Sequence, residues 1–268
     1  MKLAFTKMHG AGNDFVVVDH REPFLPAARR ELFKSWCDRR RGIGADGVLL
    51  LERDPEFDFA MRYHNADGGV AEFCGNGARC IARFALERGL GKGGEVRFRT
   101  DAGAKRARAT EDGRIALWFG AVSDGEPMTL EAAGRTFTGR RVVAGVPHLV
   151  IPVPRVSEVP LAEWAPPLRA HARLGPEGAN VDFVARQPDG RVAMRTWERG
   201  VEGETLACGS GAMASALWAV VEGASSPVTI ATAGGENLVV NFGRGASERE
   251  ATLVGPAVSV FTGEWQQT

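Results

Sequence analysis

Cys74-Gly75-Asn76-Gly77 and Cys208-Gly209-Ser210-Gly211 are the two stretches whose reading decides the fold. They stand 134 residues apart, and each opens a run that reads as a helix. The segment 61–74 aligns without a gap on 195–208. Tyr63 then falls on Trp197, Asn65 on Arg199, Gly69 on Gly203 and Ala78 on Ala212. Both copies run strand, polar tip, short loop, Cys-Gly-X-Gly, helix. A shared offset of this length implies an internal duplication whose unit is a domain, not a solenoid turn. The halves expected are 1–120, carrying Cys74, and 121–255, carrying Cys208.

Working outward, the chain of 268 residues has room for two ordinary domains. Lysine plus arginine equals aspartate plus glutamate at 33 each, so the formal net charge is zero. That balance argues against a general affinity for nucleic acid or an anionic membrane surface. The cluster Arg39-Arg40-Arg41 reads as solvated surface. No apolar run reaches the roughly 20 residues a spanning helix needs. The first ten residues read as strand and lack a signal peptide's apolar core. A cytoplasmic protein is expected. Its four cysteines are then not a disulfide framework.

Apolar runs rich in valine and phenylalanine predict strands over 3–8, 15–19, 48–51, 57–63, 96–100 and 115–119 in the first half. In the second half they fall at 141–144, 148–153, 181–185, 192–197, 228–231, 238–242 and 258–262. Gln187-Pro188-Asp189-Gly190 is a hairpin signal that delivers the chain to Glu198 and Arg199. Helices are expected over 27–40, 77–87 and 211–221. In the second of these, Cys80, Ile81, Phe84 and Ala85 form the buried stripe, with Arg79, Arg83 and Glu87 off it. Gly89 is placed to end that helix. The proline-rich 152–167 reads as a surface connection. One long helix per half among many strands predicts an α+β fold, each sheet wrapped around a central helix.

A thiol at a helix N-terminus feels the positive end of the helix and its unpaired amides, and both favour thiolate. The glycines permit the tight turn and a close approach of backbone to ligand. The N–H groups of Gly75, Asn76, Gly209 and Ser210 could hold a carboxylate. Cys74 and Cys208 are therefore the candidate catalytic pair. Cys37 and Cys80 read as small buried apolar residues. No Cys-X-X-Cys pair or histidine cluster suggests a metal, and no lysine sits in a pyridoxal motif, so no cofactor is expected. His9-Gly10-Ala11-Gly12-Asn13 is a turn and not a phosphate loop, since no Gly-Lys-Ser/Thr follows. Its Asn13 is a candidate pocket amide. The segment 41–47 likewise reads as a turn. From the pattern alone, His148 and Glu198 are either a general-base pair or, respectively, a structural histidine and half of a surface ion pair with Arg199.

With these motifs in place, the chain resembles the diaminopimelate epimerases, which are cofactor-independent two-cysteine amino-acid epimerases. The resemblance rests on the ordered set Lys7-Met-His-Gly-Ala-Gly-Asn-Asp-Phe15, Gly42-Ile-Gly-Ala-Asp46, Asn65-Ala-Asp-Gly68, Cys74-Gly-Asn-Gly-Ala-Arg-Cys80, Gly145-Val-Pro-His148, Gly178-Ala-Asn180, Glu198-Arg199-Gly200 and Ala207-Cys-Gly-Ser-Gly-Ala212. It implies two similar αβ domains with a site in the cleft between them, and a C-terminal strand, about 256–268, returning to the first. It implies interconversion of LL- and meso-2,6-diaminopimelate, on the route to lysine and peptidoglycan precursors, with the two cysteines as acid and base. Asn13, Asn65, Asn180, Glu198 and Arg199 are then substrate contacts, together with the backbone of Gly75, Asn76, Gly209 and Ser210. His148 and Glu198 adjust the protonation of the thiols. A homodimer acting on a small amino acid is implied.

Val146 and Gly47 depart from the pattern, standing where some members carry a substrate-side Asn and Gln. They thin the recognition of the substrate's far end and leave the thiol chemistry intact. The alternatives are a racemase of proline, hydroxyproline or histidine, or a thiol redox switch. The switch would leave Asn13, Asn65, Asn180 and Arg199 without a purpose.

Overall fold

A computed structural model describes residues 2–26, 28–123, 125–243 and 248–266. The chain divides into two compact units, Met1–Trp118 with Gly255–Thr268, and Phe119–Val254.

The first unit begins with the hairpin β1 (Lys2–Gly10) and β2 (Asn13–Asp19). Gly10 pairs with Asn13 across a two-residue turn, Ala11-Gly12, in which both residues have positive φ. That is the geometry whose twist matches the flanking strands. Helix α1 (Arg30–Cys37) then crosses to β3 (Gly47–Glu52), parallel to β2. β4 (Phe59–Asn65) returns antiparallel and turns into the short β5 (Val70–Ala71). Helix α2 (Gly75–Leu86) crosses to β6 (Glu95–Thr100), parallel to β4, and β7 (Gly103–Ala109) and β8 (Ile115–Ser123) follow as a meander. The C-terminal strand β18 (Val258–Gln266) pairs antiparallel with β1. The sheet order is therefore β18-β1-β2-β3-β4-β6-β7-β8, and α2 packs against β1, β2, β3, β4, β6 and β7.

Parallel neighbours need a long crossover, usually a helix. This unit uses two, with α1 on one face of the sheet and α2 on the other. The consequence is visible in β2 and β3, which carry four and five consecutive buried residues instead of alternating. Val16, Val18, Val48 and Leu50 pack with Phe33 and Trp36 of α1. The opposite set, which includes Phe15 and Leu49, meets α2. There a Cβ added to Gly77 would lie 3.1 Å from Leu49 and 3.4 Å from Phe15. The helix can nest this closely because position 77 has no side chain.

The second unit repeats this plan. β9 (Glu126–Ala132) flanks β10 (Arg135–Ala144), which pairs with β11 (Val146–Pro152). Helix α3 (Leu161–Arg169) crosses to β12 (Asn180–Arg186), parallel to β11. β13 (Val192–Glu198) and β14 (Gly203–Thr205) follow. Helix α4 (Gly209–Val221) then crosses to β15 (Val228–Ala231), parallel to β13, before β16 (Asn237–Phe242) and β17 (Glu248–Gly255). α4 packs on β10 to β13, β15 and β16. It is buried almost all round, as a helix inside a curled sheet must be. Backbone conformation carries the repeat further than identity does. Positive φ recurs at Ala11 and Gly145, at Gly68 and Glu202, and at Gly89 and Gly223, each pair 134 residues apart. Gly89 and Gly223 both close their helices in the left-handed region.

Three expectations need correction. The stretch 152–167 is not a bare connection, since it carries most of α3, whose Leu161, Ala165 and Leu168 are buried against β12 and β13. Pro166 and Pro167 lie inside that helix and disguise it. The first helix is shorter than 27–40, and its expected start at Ala27 lies outside the described residues. Arg79 is not off the buried stripe but fully buried. The strands β5, β7, β9, β14 and β17 escaped notice because they are short or charged, as in Gly-Ala-Lys-Arg-Ala-Arg-Ala of β7.

Candidate active site

Each cysteine is the N-cap of its unit's central helix, in extended backbone conformation: φ −139°, ψ 119° at Cys74 and φ −112°, ψ 116° at Cys208. The cap carbonyls accept the first helical bonds, from Ala78 N–H at 2.8 Å and Ala212 N–H at 2.9 Å. Gly75, Asn76, Gly209 and Ser210 thus occupy the first helical turns, whose N–H groups have no acceptor within their own helix.

In the first unit, strand alternation puts Asn13, Phe15 and Val17 on the face toward α2. Asn13 Nδ2 donates to Asp46 Oδ2 at 2.7 Å, so its Oδ1 points the other way. That oxygen lies 3.5 Å from Cys74 Sγ and 3.3 Å from Asn76 Nδ2. Asp46 is steadied by Arg39, which also bonds Asp14, while Lys7 pairs with Asp14 at 2.7 Å. Burial pushes Asp14 up, but Arg39 and Lys7 outweigh it and hold the carboxyl well below its usual range. Arg39 is thus exposed, yet it braces the site. Gly10 is a close-packing glycine, since a Cβ there would meet the Asn76 carbonyl oxygen at 2.8 Å. Gly47 is another, facing Tyr63 Cε2 at 2.7 Å. Asn65 is exposed at the end of β4.

In the second unit, strand register assembles a polar cluster. His148 pairs with Asn180, and Asp182 with Thr196. Alternation then places His148, Asn180, Asp182, Thr196 and Glu198 on one face, beneath α4. The other face carries Leu149, Val181, Phe183 and Trp197, which pack toward α3.

The bonds in this cluster fix one protonation pattern. Arg199 N–H can only donate, and it donates to Asn180 Oδ1 at 2.7 Å. The amide nitrogen of Asn180 therefore faces His148 Nε2, at 3.2 Å, so that ring nitrogen must accept. His148 Nδ1–H then donates to Asp182 Oδ2 at 2.7 Å, and Thr196 Oγ1 donates to Asp182 Oδ1 at 2.7 Å. His148 is fully enclosed, and both its ring nitrogens are engaged within the cluster. Gly211 is where the cluster meets the helix, because a Cβ there would lie 2.6 Å from Asp182 Oδ1.

Cys208 Sγ accepts from Gly211 N–H and lies beside Ser210 Oγ, both at 3.4 Å. Those bonds favour thiolate, as the sequence reading expected, but they lose. Burial pushes the Cys208 thiol well above its ordinary range, and the nearby Glu198 and Asp182 push it further. Burial and the two carboxylates thus favour the protonated thiol at Cys208, against the thiolate that a helix terminus alone would favour. Burial likewise raises the Glu198 carboxyl, and Asp182 adds to it. Thr205 Oγ1, 2.5 Å from Glu198 Oε1, and the Cys208 thiol pull it part of the way back. Arg199 is half-buried at the strand tip, with Glu177 at 3.7 Å.

Sequence reasoning missed Asp182, Thr196, Thr205, Asp46 and Arg79. A lone acid in the apolar run Val181-Asp-Phe-Val-Ala was the available signal for Asp182. The cavity of about 660 Å³ lined by Phe5, Phe24, Phe84, Arg88 and Thr262 lies at the far end of α2 from Cys74 and is not this site. Among the described residues no disulfide joins the cysteines. Among the described residues no group of His, Cys, Asp and Glu is placed to hold a metal, and no helix is long and apolar enough to cross a membrane.

This two-unit architecture defines a fold class found in other solved proteins. It is shared with a PhzF-family phenazine biosynthesis protein from Bacillus anthracis (TM-score 0.75, 14% identity, all of both chains). It is also shared with a probable proline racemase from Agrobacterium radiobacter (TM-score 0.73, 18% identity, 99% of this chain and 93% of that one). At those identities the likeness is one of fold. Sequence makes the narrower assignment. The family model described as diaminopimelate epimerase matches residues 5–128 and 141–260. Diaminopimelate epimerases from Aquifex aeolicus and Methanocella arvoryzae are 39% and 41% identical, over 97% of each chain for the first and 98% and 96% for the second. The chain belongs to the diaminopimelate epimerase family.

Proposed function

We propose that this protein interconverts LL- and meso-2,6-diaminopimelate, one thiolate removing the α-proton from one face and the opposing thiol delivering its own proton to the other, without metal or pyridoxal. It is an isomerase. The observation that carries the mechanism is the repeated cap: one cysteine at the N-terminus of each central helix, each followed by first-turn amides suited to a carboxylate. In this reading Cys74 and Cys208 address opposite faces of one carbon. Preorganised donors on the carboxylate then offset the poor stability of the α-carbanion.

Cys208, a thiol at rest, is the ready acid. For the reverse reaction it must first give up its proton, and Glu198 is the base placed to take it. His148 acts by position, holding Asn180 so that Arg199 and the strand tip keep their place. Asn13, Asn65 and Asn76 serve the substrate from the first unit. Val146 and Gly47 carry no polar group, so the far amino acid end would be recognised chiefly by Arg199, Glu198 and Asn180. A cytoplasmic homodimer fits this reading.

The test is a chiral assay of the purified protein in chelator-treated, pyridoxal-free reducing buffer, offering LL- and meso-diaminopimelate, proline, hydroxyproline and histidine. Inversion of diaminopimelate alone is expected. A requirement for added metal or pyridoxal phosphate, or a preference for proline, contradicts the proposal. The pH profile is also set. In the direction that uses Cys208 as base, Glu198 must be ionised. Activity should fall as pH drops through a Glu198 value lying above the usual carboxylate range. Glu198→Gln should slow the reaction by about 10²-fold or more and abolish that acid limb. An unchanged limb would remove Glu198 from the role.

A further inference from the structure

Arg79, in the second turn of α2, has no exposed surface, and no carboxylate pairs with it among the described residues. Its guanidinium donates to Asn76 Oδ1 at 2.8 Å and more weakly to the carbonyls of Gly75 at 3.4 Å and Pro256 at 3.3 Å. A buried charge with only neutral acceptors is costly and calls for an explanation. Two titratable groups act on it electrostatically, Cys80 and Cys74. Cys80 is itself fully buried, and its thiol, pushed up to about 12 by burial, stays neutral. Cys74 is the remaining group that can answer the charge.

The amides confirm that Arg79 is aimed at the cap. Its donation to Asn76 Oδ1 turns Asn76 Nδ2 toward Asn13 Oδ1, and Asp46 holds Asn13 from the other side. Asn13 Oδ1 in turn faces Cys74 Sγ. That carbonyl favours a protonated thiol, whereas the guanidinium favours a thiolate. A weak S–H···O bond is worth less than a full charge acting through a buried interior, so the charge prevails. The other charged groups around this end compensate one another: Lys7 of β1 and Arg39 balance Asp14 of β2 and Asp46. Lys105 of β7 lies over the ring of Phe73, the residue before the cap.

We propose that Arg79 is a positioning residue that makes Cys74 the resting thiolate of the pair, its buried guanidinium serving as counter-charge to the sulfur. The two thiols are then unequal before substrate binds: Cys74 feels a buried cation that bonds the first turn of its own helix, whereas Cys208 feels Glu198 and Asp182. This rests on the reading of Cys74 as a proton-transfer group, but its test needs neither substrate nor turnover.

The rate of iodoacetamide alkylation at Cys74 is measured against pH by mass spectrometry of its peptide in the full-length protein. In the unaltered protein the midpoint should lie below the roughly 8.5 of a free cysteine. Arg79→Met, apolar and of similar length, should raise it by about one unit or more, and Arg79→Lys should restore most of the difference. Circular dichroism shows whether each variant is folded. A folded Arg79→Met with an unmoved midpoint overturns the proposal, and so does an unaltered protein whose Cys74 midpoint is at or above the free value. The second outcome decides the matter even if Arg79→Met fails to fold. Full epimerase activity beside an unmoved midpoint would leave the two-thiol reaction standing and remove only Arg79.

Discussion

Replacing either cap cysteine by alanine, Cys74→Ala or Cys208→Ala, is expected to lower inversion by at least about 10³-fold, the scale of a positioned acid or base. Each substitution removes the proton carrier on one face and leaves the backbone of the helix cap in place. Alanine at an N-cap costs stability of only about 1 kcal/mol, so the loss of rate should not reflect unfolding. The two variants should also differ from each other. Cys208→Ala removes the thiol that rests protonated, and the surviving Cys74 could still exchange the α-proton of one isomer with solvent. Chiral chromatography of the products reads the inversion, and proton NMR in deuterated buffer reads the exchange. Near-normal inversion by either variant would end the assignment.

The second large effect is on stability and falls on a residue with no expected contact with substrate. Asp182 accepts from His148 Nδ1–H and Thr196 Oγ1, both at 2.7 Å, with no exposed surface. Asp182→Ala leaves both donors buried without an acceptor and opens a gap beside Gly211. The expected cost is about 2–4 kcal/mol, since each unsatisfied buried group is worth about 1–3 kcal/mol. Asp182→Asn should be milder, about 1 kcal/mol, because its carbonyl can still receive His148 while the Thr196 hydroxyl rotates to accept. The same change removes a negative charge near Cys208, so alkylation of that thiol should begin at lower pH. Urea denaturation measures the first effect. An Asp182→Ala protein as stable as the unaltered one would show that the cluster beneath α4 is not held as described.

Much of the plan was legible in the chain because the duplicated signal was local. Cys-Gly-X-Gly marks a helix start in both halves, and valine-rich runs mark the strands that curl around each helix. The C-terminal boundary of α2 was legible for the same reason, since Gly89 supplies the positive φ that ends it. What stayed hidden depended on register and burial. Asp182 becomes a partner of His148 only when β11 and β12 pair in parallel, with His148 opposite Asn180. Arg79 resembles Arg83 in the sequence, yet one is enclosed and the other reaches Glu87 and Gly113 at the surface. α3 was obscured by Pro166 and Pro167, whose usual meaning is interruption. The upward push on the Cys208 thiol stayed hidden because the sequence shows only the helix terminus, a modest effect. Burial beside Glu198 and Asp182 outweighs it, and neither burial nor that proximity can be counted from a linear sequence.

The central claim is that one cysteine removes the α-proton and the other supplies a different proton, each acting from its own side. A thiol carries a single proton, so the proton taken from one face cannot be the one delivered to the other. The direct measurement follows LL-diaminopimelate in deuterated water and stops the reaction within the first few per cent of turnover. The meso product should carry solvent deuterium at the inverted α-carbon, while the unreacted LL substrate remains unlabelled. Early product that retains the substrate's own proton at that carbon would show a single base working on both faces, and would contradict the account.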